Sequence, residues 1–390
     1  MTQAASTQAV IAAYVRTPFH FAKKGRLAGV RPDDLAATAV QALIERSGVD
    51  PRAVEDLLMG CAYPEAEQGS NIARIAALLA GLPQTSGGAT INRFCGSSMS
   101  GIHYAAGQIA IGAGDVFVCG GVESMSRVPM GGFNAAPNPR FKAADRPDAE
   151  FMTEAYIPMG HTAENVAAKY RISREEQDAF AYASQQKAAA AQAAGKLAAE
   201  LVAVNTADGV VDVDGCLRPQ TTLEGLAALK PAFGADGTVT AGTASPLTDG
   251  AAAVLVCSED YARRNGLQML ARIRSVAVAG CAPEIMGIGP VPSTLKALAR
   301  ARLSARDIDI VEINEAFSSQ SIASLRELKI DTRRVNLDGG AIAIGHPLGA
   351  TGARITGKAA QLLHREGARY ALATQCIGGG QGVATILERI

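Results

Sequence analysis

Four short stretches carry side chains able to do chemistry: Cys95 in NRFCGSSM, Asn314 in NEAF, His346 in GGAIAIGHPLGATG and Cys376 in CIGGGQG. A cysteine placed where a strand turns into a helix feels unpaired backbone N–H groups and the positive end of the helix dipole. Both favour the thiolate, which is the nucleophilic form. A sulfur nucleophile needs a base to take its proton, and the neutral imidazole of His346 titrates in the right range. Cys376 stands just before Gly378-Gly379-Gly380. Glycines there let a backbone approach a ligand closely and leave N–H groups free for an oxyanion. Asn314 ends an apolar run, where it caps the next helix or anchors a water. Each residue also has an ordinary structural role open to it. Cys95 suits a small buried apolar site, His346 a helix cap, and Cys376 a spacer in a tight turn.

These residues must be delivered by regular elements. Buried strands are predicted over 9–15, 56–60, 115–119, 271–278, 308–313, 334–337, 370–375 and 382–387, with Ile91 to Cys95 closing another. Helices are predicted over 33–47, 71–80, 101–111, 293–303, 316–328 and 349–365, while 248–257 (TDGAAAVLVC) reads equally as helix or strand. Strands alternating with helices predict an α/β chain with a mostly parallel sheet covered on both faces. Two echoes link the halves: Asp56 to Cys61 (DLLMGC) beside Asp309 to Asn314 (DIVEIN), and Val116 to Gly121 beside Leu372 to Gly378. A duplicated α/β unit places its ligand where the strand ends of both halves converge. Between them, 122–245 is rich in Met, Pro, Gly and charge. It holds one long polar helix, 173–194, opened by the capping box Ser173 to Glu176. Such an excursion is expected to lie over the site rather than to build it.

Composition excludes several classes of function. Lys+Arg and Asp+Glu are both 37, so no basic excess supports nucleic-acid binding. Aromatics are only 5% against 41 glycines, which suits Ala/Gly-packed helices on a sheet rather than an aromatic-rich sandwich. The seven cysteines show no CxxC and no Cys/His spacing suited to a metal, so reduced thiols in a cytoplasmic compartment are expected. The first fifteen residues lack the pattern of a secretory signal, no apolar run is long enough to span a membrane, and the C-terminus reads as no peroxisomal address.

Taken together and in this order, NRFCGSS, NEAF, GHP within GGAIAIGHPLGATGAR, and CIGGGQG resemble the thiolase family across essentially the whole chain. The likeness is greatest to the degradative 3-ketoacyl-CoA thiolases. The resemblance implies a thiolase fold: duplicated βαβαβαββ halves in a layered αβαβα core with an inserted loop domain. The corresponding division is 1–121 with 246–270, then 122–245, then 271–390. It also implies that Cys95 is the acylated nucleophile, His346 its activating base and Cys376 the second acid/base. Asn314 would hold a water that forms one oxyanion site with His346, and the backbone N–H groups of Cys95 and Gly378 would form the other. Arg218 matches a position near the nucleotide of CoA, and Ser245 (in TAGTASPLTDG) one beside the pantetheine arm. Met159, Met286 and Phe317 match the lining of the thioester and acyl pocket.

The expected reaction is thiolytic cleavage of 3-ketoacyl-CoA by coenzyme A, with no metal or resident cofactor. The alternative is acetoacetyl-CoA synthesis by the reverse condensation. Pro158 stands where short-chain biosynthetic members carry a histidine, which favours the degradative branch. Cys376 argues against the related β-ketoacyl synthase type, which would carry a second histidine or an asparagine there. The intact Cys95, His346 and Cys376 argue against a non-catalytic CoA or lipid carrier. Resemblance further implies a homodimer or homotetramer, with some degradative members joining a multifunctional hydratase/dehydrogenase partner.

Overall fold

The computed structural model describes residues 8–141 and 155–390; the first seven residues, part of the stretch read for a signal, and 142–154 of the inserted region lie outside it. The first half runs β1 (Ala9–Arg16), a short β2 (His20–Phe21), α1 (Pro32–Ser47), β3 (Asp56–Gly60), α2 (Ile72–Leu79), β4 (Gly87–Ile91), α3 (Ser97–Ala110) and β5 (Val116–Ser124). The inserted region contributes α4 (Met159–Tyr170), α5 (Arg174–Ala193), a hairpin of β6 (Val204–Thr206) and β7 (Gly209–Val211), and α6 (Leu223–Ala227). The chain returns through β8 (Thr248–Ser258) and α7 (Glu259–Arg264). The second half runs β9 (Ala271–Gly280), α8 (Pro290–Ala301), β10 (Ile310–Ile313), α9 (Ser318–Leu328), α10 (Ala341–Ile344), α11 (Leu348–Arg365), β11 (Tyr370–Ile377) and β12 (Gln381–Glu388).

The duplication is visible in strand pairing. The sheet order is β10-β11-β12-β9-β1-β8-β5-β3-β4, with β2 on β8. In the first half β4, β3 and β5 are parallel, while β8 lies antiparallel to both β5 and β1. In the second half β10 and β11 are parallel, while β12 lies antiparallel to both β11 and β9. The halves join only where Val10 and Ile11 meet Arg272 and Ala271. Helices α3 and α11 pack on each other and on strands of both halves, in a shared apolar core. Helices α1 and α2 cover the other face of the first half, and α8 covers that of the second. This is the layered αβαβα arrangement.

The sheet is mixed rather than mostly parallel as expected, because β8 and β12 each return antiparallel beside the strands of their half and β1 meets β9 antiparallel. Three local differences from the sequence reading also have physical causes. TDGAAAVLVC forms the central strand β8, buried throughout between β1 and β5. A strand covered on both faces loses the alternation that would separate it from a helix. The strand expected at 334–337 is reduced to a single parallel bridge, Val311 to Val335. Asn336 takes the ladder's place there: its Oδ1 accepts from Ile313 N at 2.9 Å, and its Nδ2 donates to Ile313 O at 3.0 Å. Finally, β5 continues past Gly120-Gly121 to Ser124. A Cβ at Gly121 would overlap the Gly349 carbonyl, so this glycine marks where α11 docks on the strand rather than where the strand ends. The long helix of the inserted region, in contrast, starts where expected. Ser173 Oγ accepts from Glu176 N at 3.2 Å, and Glu176 Oε2 accepts from Ser173 N at 3.0 Å.

Candidate active site

Cys95 lies in the turn between β4 and α3, just ahead of the helix start at Gly96-Ser97. Phe94 adopts a left-handed backbone (φ 44°), a strained state for an aromatic residue. The surroundings hold it there. Asn92 Oδ1 accepts from Phe94 N at 2.9 Å while Asn92 Nδ2 donates to Ala62 O at 3.0 Å. Ser97 Oγ accepts from Arg93 N at 2.9 Å and donates to Phe94 O at 2.5 Å. Gln375 Nε2 donates to the Cys95 carbonyl, tying this turn to β11 of the other half. The N–H groups of Gly378 and of Cys95 itself face the Cys95 sulfur and pull its acidity in the direction expected at a helix start. Burial nevertheless outweighs them and raises the thiol to about 12. The resting nucleophile is therefore a thiol, and its proton must leave as it attacks.

His346 is buried, and its Nδ1 lies 2.6 Å from Thr351 Oγ1, which itself donates to Pro347 O at 2.9 Å. With its one hydrogen committed to that carbonyl, the threonine hydroxyl accepts from Nδ1–H. On the other side of the ring, the Asn314 amide nitrogen, a donor, lies 3.2 Å from Nε2. Both contacts select the tautomer with Nε2 unprotonated, its lone pair accepting from Asn314. Burial, and after it the Arg354 charge, push the imidazole down to about 3, so it is neutral at physiological pH. Asn314 Oδ1 is buried with no protein partner.

Cys376 is fully buried on β11, and burial and the nearby Cys95 and Cys281 thiols push its thiol well up. It packs with Met286, Phe317, Ala163 and Met159 in one small apolar cluster. Met159 opens α4 and lies over Gly378, so the inserted region covers the site as expected. Gly379 and Gly380 take positive φ (78° and 82°), which turns the chain from β11 to β12 while Gly378 N–H stays directed at Cys95. Ser245 is drawn in beside this cluster: Ser245 N donates to Ala316 O at 3.0 Å, and Ala244 bridges to Phe317. Ser245 caps no helix, because the segment after it is strand β8. Arg218 lies apart from the cluster, half-buried against α5 and α10. Its backbone N donates to Gln185 Oε1 at 2.9 Å, and its Nε has no protein partner.

Three supporting residues escaped the sequence reading. Thr351 sits on the first turn of the helix after His346, a spacing that becomes informative only once the loop's path is known. Gln375 neighbours Cys376 in sequence. Glu123, at the end of β5, is a buried carboxyl accepting from the N–H groups of Ala62 (2.9 Å), Tyr63 (3.1 Å) and Gly349 (2.9 Å) and from Gln68 Nε2 (2.9 Å). It joins the loop after β3 to the start of α11 beneath Cys95, and an acidic residue closing a glycine-containing apolar strand is the signal that could have exposed it.

Among the described residues, no group of three or more His, Cys, Asp or Glu side chains could hold a metal ion, and no helix is long and apolar enough to cross a membrane. Comparison with known proteins agrees with the architecture. Residues 9–260 match the N-terminal domain of thiolase and residues 267–389 its C-terminal domain. The chain is 48% identical to the 3-ketoacyl-CoA thiolase of Bacillus subtilis (strain 168), over 98% of this chain and 99% of that one. It is also 48% identical to the 3-ketoacyl-CoA thiolase of Shewanella sp. (strain MR-7), over 98% and 100%. Human mitochondrial 3-ketoacyl-CoA thiolase solved in complex with CoA superposes with a TM-score of 0.90 at 41% identity, covering 98% of both chains. Two matched domains that span the chain, with relatives 48% identical over nearly its full length, place this protein in the thiolase family.

Proposed function

We propose that the protein cleaves 3-ketoacyl-CoA with coenzyme A, giving acetyl-CoA and a shortened acyl-CoA, as in fatty-acid β-oxidation. The carrying observation is a buried Cys95 thiol with the Gly378 N–H directed at it, a second buried thiol at Cys376, and a buried His346 whose Nδ1 is held by Thr351 and whose unprotonated Nε2 accepts from Asn314. Cys95 gives its proton to His346 Nε2 as its sulfur bonds to the 3-keto carbon. Asn314, through a bound water, and His346 stabilise one developing oxyanion; the N–H groups of Cys95 and Gly378 stabilise the other. The C2–C3 bond then breaks, and the departing enolate of acetyl-CoA takes the Cys376 proton. CoA gives its thiol proton to the Cys376 thiolate and attacks the acyl group. The Cys95 sulfur leaves and recovers its proton from His346. Two separate charges call for two donor sites, each lowering the barrier by about 3 kcal/mol.

Met159, Met286, Phe317 and Ser245 line the acyl and pantetheine path, and Arg218, with its spare guanidinium donor, meets the nucleotide end. In this reading 122–245 is the CoA-binding loop domain between the halves 1–121 with 246–270 and 271–390, and the enzyme works in the cytoplasm. It assembles as a homodimer, or a pair of dimers. Strand β4 is the open edge of the sheet, and Ile75, Leu78, Leu79 and Tyr104 expose apolar surface on the helices beside it. Association with a multifunctional β-oxidation enzyme is compatible with this site.

The direct test is turnover of acetoacetyl-CoA and of a longer 3-ketoacyl-CoA, each with CoA, followed by loss of the thioester enolate absorbance. Mass spectrometry after brief exposure to substrate should find the acyl group on Cys95. Label on Cys61 or Cys119, or no turnover of either substrate, would defeat the proposal.

A further inference from the structure

A buried polar column runs away from His346 along the contact between α11 and β10. Thr351, Arg354 and Lys358 follow one another at three- and four-residue intervals on one face of α11, and Glu312 and Asn314 share one face of β10. The first layer is Thr351–His346–Asn314. The second is Arg354, whose Nη1 lies 3.4 Å from Glu312 Oε2. The third is Lys358, bonded to Glu200 at 2.8 Å and Asp338 at 2.7 Å; these in turn bind Arg16 at 2.7 Å and Arg365 at 2.5 Å.

The second layer differs from the third. Lys358 has two close carboxylates, whereas Arg354 has one long contact, and its Nε and Nη2 have no protein partner, nor does Glu312 Oε1. Both side chains are at most 1% exposed. A buried pair so loosely matched is a poor source of stability, because desolvation outweighs the attraction. What it supplies is an incompletely neutralised positive charge directly behind the imidazole and the Asn314 amide.

We propose that Arg354, held by Glu312, is a positioning residue of the thiolytic site: its buried, incompletely paired charge, one turn along α11 from the Thr351 that holds His346, favours the anion forming beside Asn314 without touching substrate. This rests on the function proposed above. In support, Arg354 is the charged group that lowers the imidazole. Glu312 is raised to about 7 by burial despite Arg354 and Lys358; Asp338 and Glu200 push the same way, and Tyr14 and Lys187 also feel its charge. Removing Arg354 lifts a positive charge from beside the ring, so the imidazole becomes easier to protonate and the acidic limb of kcat moves to higher pH. Glu312, raised to about 7, is already uncharged where the imidazole titrates, so neutralising it leaves that limb in place.

The test compares R354M, R354K and E312Q in the full-length enzyme, with thermal unfolding as a control for folding. For R354M we expect kcat to fall about tenfold or more while KM for CoA stays within about twofold, and the acidic limb to rise by about one pH unit. R354K should recover most of the loss, and E312Q should leave the limb at its wild-type position, because Glu312 is already protonated there. A loss in R354M that only tracks its reduced folded fraction, or limbs that superimpose in all three variants, would overturn the proposal. Titration of the His346 imidazole by 15N shifts, assigned with H346N, needs no substrate. It therefore tests the Arg354 charge even if the wild-type enzyme turns over no 3-ketoacyl-CoA, a result that would fail the functional reading instead.

Discussion

Replacing Thr351 by valine removes one oxygen at nearly constant volume and tests how the base is prepared. In the wild-type site the hydroxyl donates to Pro347 O at 2.9 Å and accepts from His346 Nδ1 at 2.6 Å, while Asn314 Nδ2 presents a donor to Nε2 at 3.2 Å. In the valine variant Nδ1–H has no acceptor in a buried pocket. The ring cannot escape by moving its proton to Nε2, because that hydrogen would then oppose the Asn314 N–H. Either tautomer leaves a buried donor unsatisfied, at about 1–3 kcal/mol, and ring reorientation to relieve this takes Nε2 off its line to Cys95. The expected loss in kcat is therefore about 10- to 100-fold, with KM for CoA nearly unchanged, because Thr351 lies outside the Met159–Met286–Phe317 cluster. Thr351→Ser keeps the oxygen and should stay within about threefold of wild type. Thiolysis is read by loss of the 3-ketoacyl-CoA enolate absorbance, and alkylation of Cys95 by iodoacetamide gives a substrate-free check. A T351V enzyme with wild-type kcat and wild-type alkylation rate would refute the argument that this hydroxyl selects the tautomer.

Four further outcomes are expected. Cys376→Ala should still acquire an acyl group on Cys95 by mass spectrometry yet release no shortened acyl-CoA, whereas Cys95→Ala should acquire none. Gly121→Ala should lose about 3 kcal/mol or more in urea unfolding, since the new methyl overlaps the Gly349 carbonyl at the start of α11. The Glu312 carboxyl is raised from an ordinary 4.5 to about 7, so the stability it contributes is complete below about 4.5 and lost as pH climbs through about 7. Glu312→Gln stays neutral, so its urea stability should exceed wild type by up to about 3 kcal/mol at pH 8 and match it at pH 4.5. Arg218→Ala should raise KM for CoA with little change in kcat, because Arg218 stands away from the reacting sulfur; an unchanged KM would remove it from the nucleotide site.

The residues proposed to do chemistry stood out because each ends an apolar run or opens a helix, and glycines surround two of them. The strand echoes were legible for the same reason: DLLMGC and DIVEIN are β3 and β10, each parallel to the next strand of its half. What stayed hidden depends on partners distant in sequence. Asn336 replaces a strand by pairing with Ile313 through its side chain, and nothing in RRVNLDGG distinguishes that from an ordinary ladder. The sequence argument for Cys95 counted the donors at a helix start correctly but carried no measure of burial, which sets the sign of the net effect. Thr351 is invisible until the loop it holds is seen, and Glu123 offers only the faint signal of an acidic residue closing an apolar strand.

The duplicated fold itself explains why the proposed nucleophile and base lie on loops that open neighbouring helices. Cys95 lies in the segment that feeds α3, and His346 in the segment that feeds α11, so the two occupy corresponding places in the two halves. Those helices form the shared central layer, and their starts are bonded together: Ser98 Oγ accepts from Ala353 N at 2.8 Å, and the Glu123 carboxyl bonds the loop after β3 to Gly349 N at the opening of α11. Packing two copies of one unit through α3 and α11 therefore brings two helix-opening loops to the same point. Asn314 and Cys376 arrive there because the parallel strands β10 and β11 end side by side, with Asn314 N donating to Thr374 O at 3.0 Å. The inserted region then has little left to supply to the chemistry, and Met159 over Gly378 shows its part: it closes an apolar cover over thiols whose reactivity depends on water being kept out.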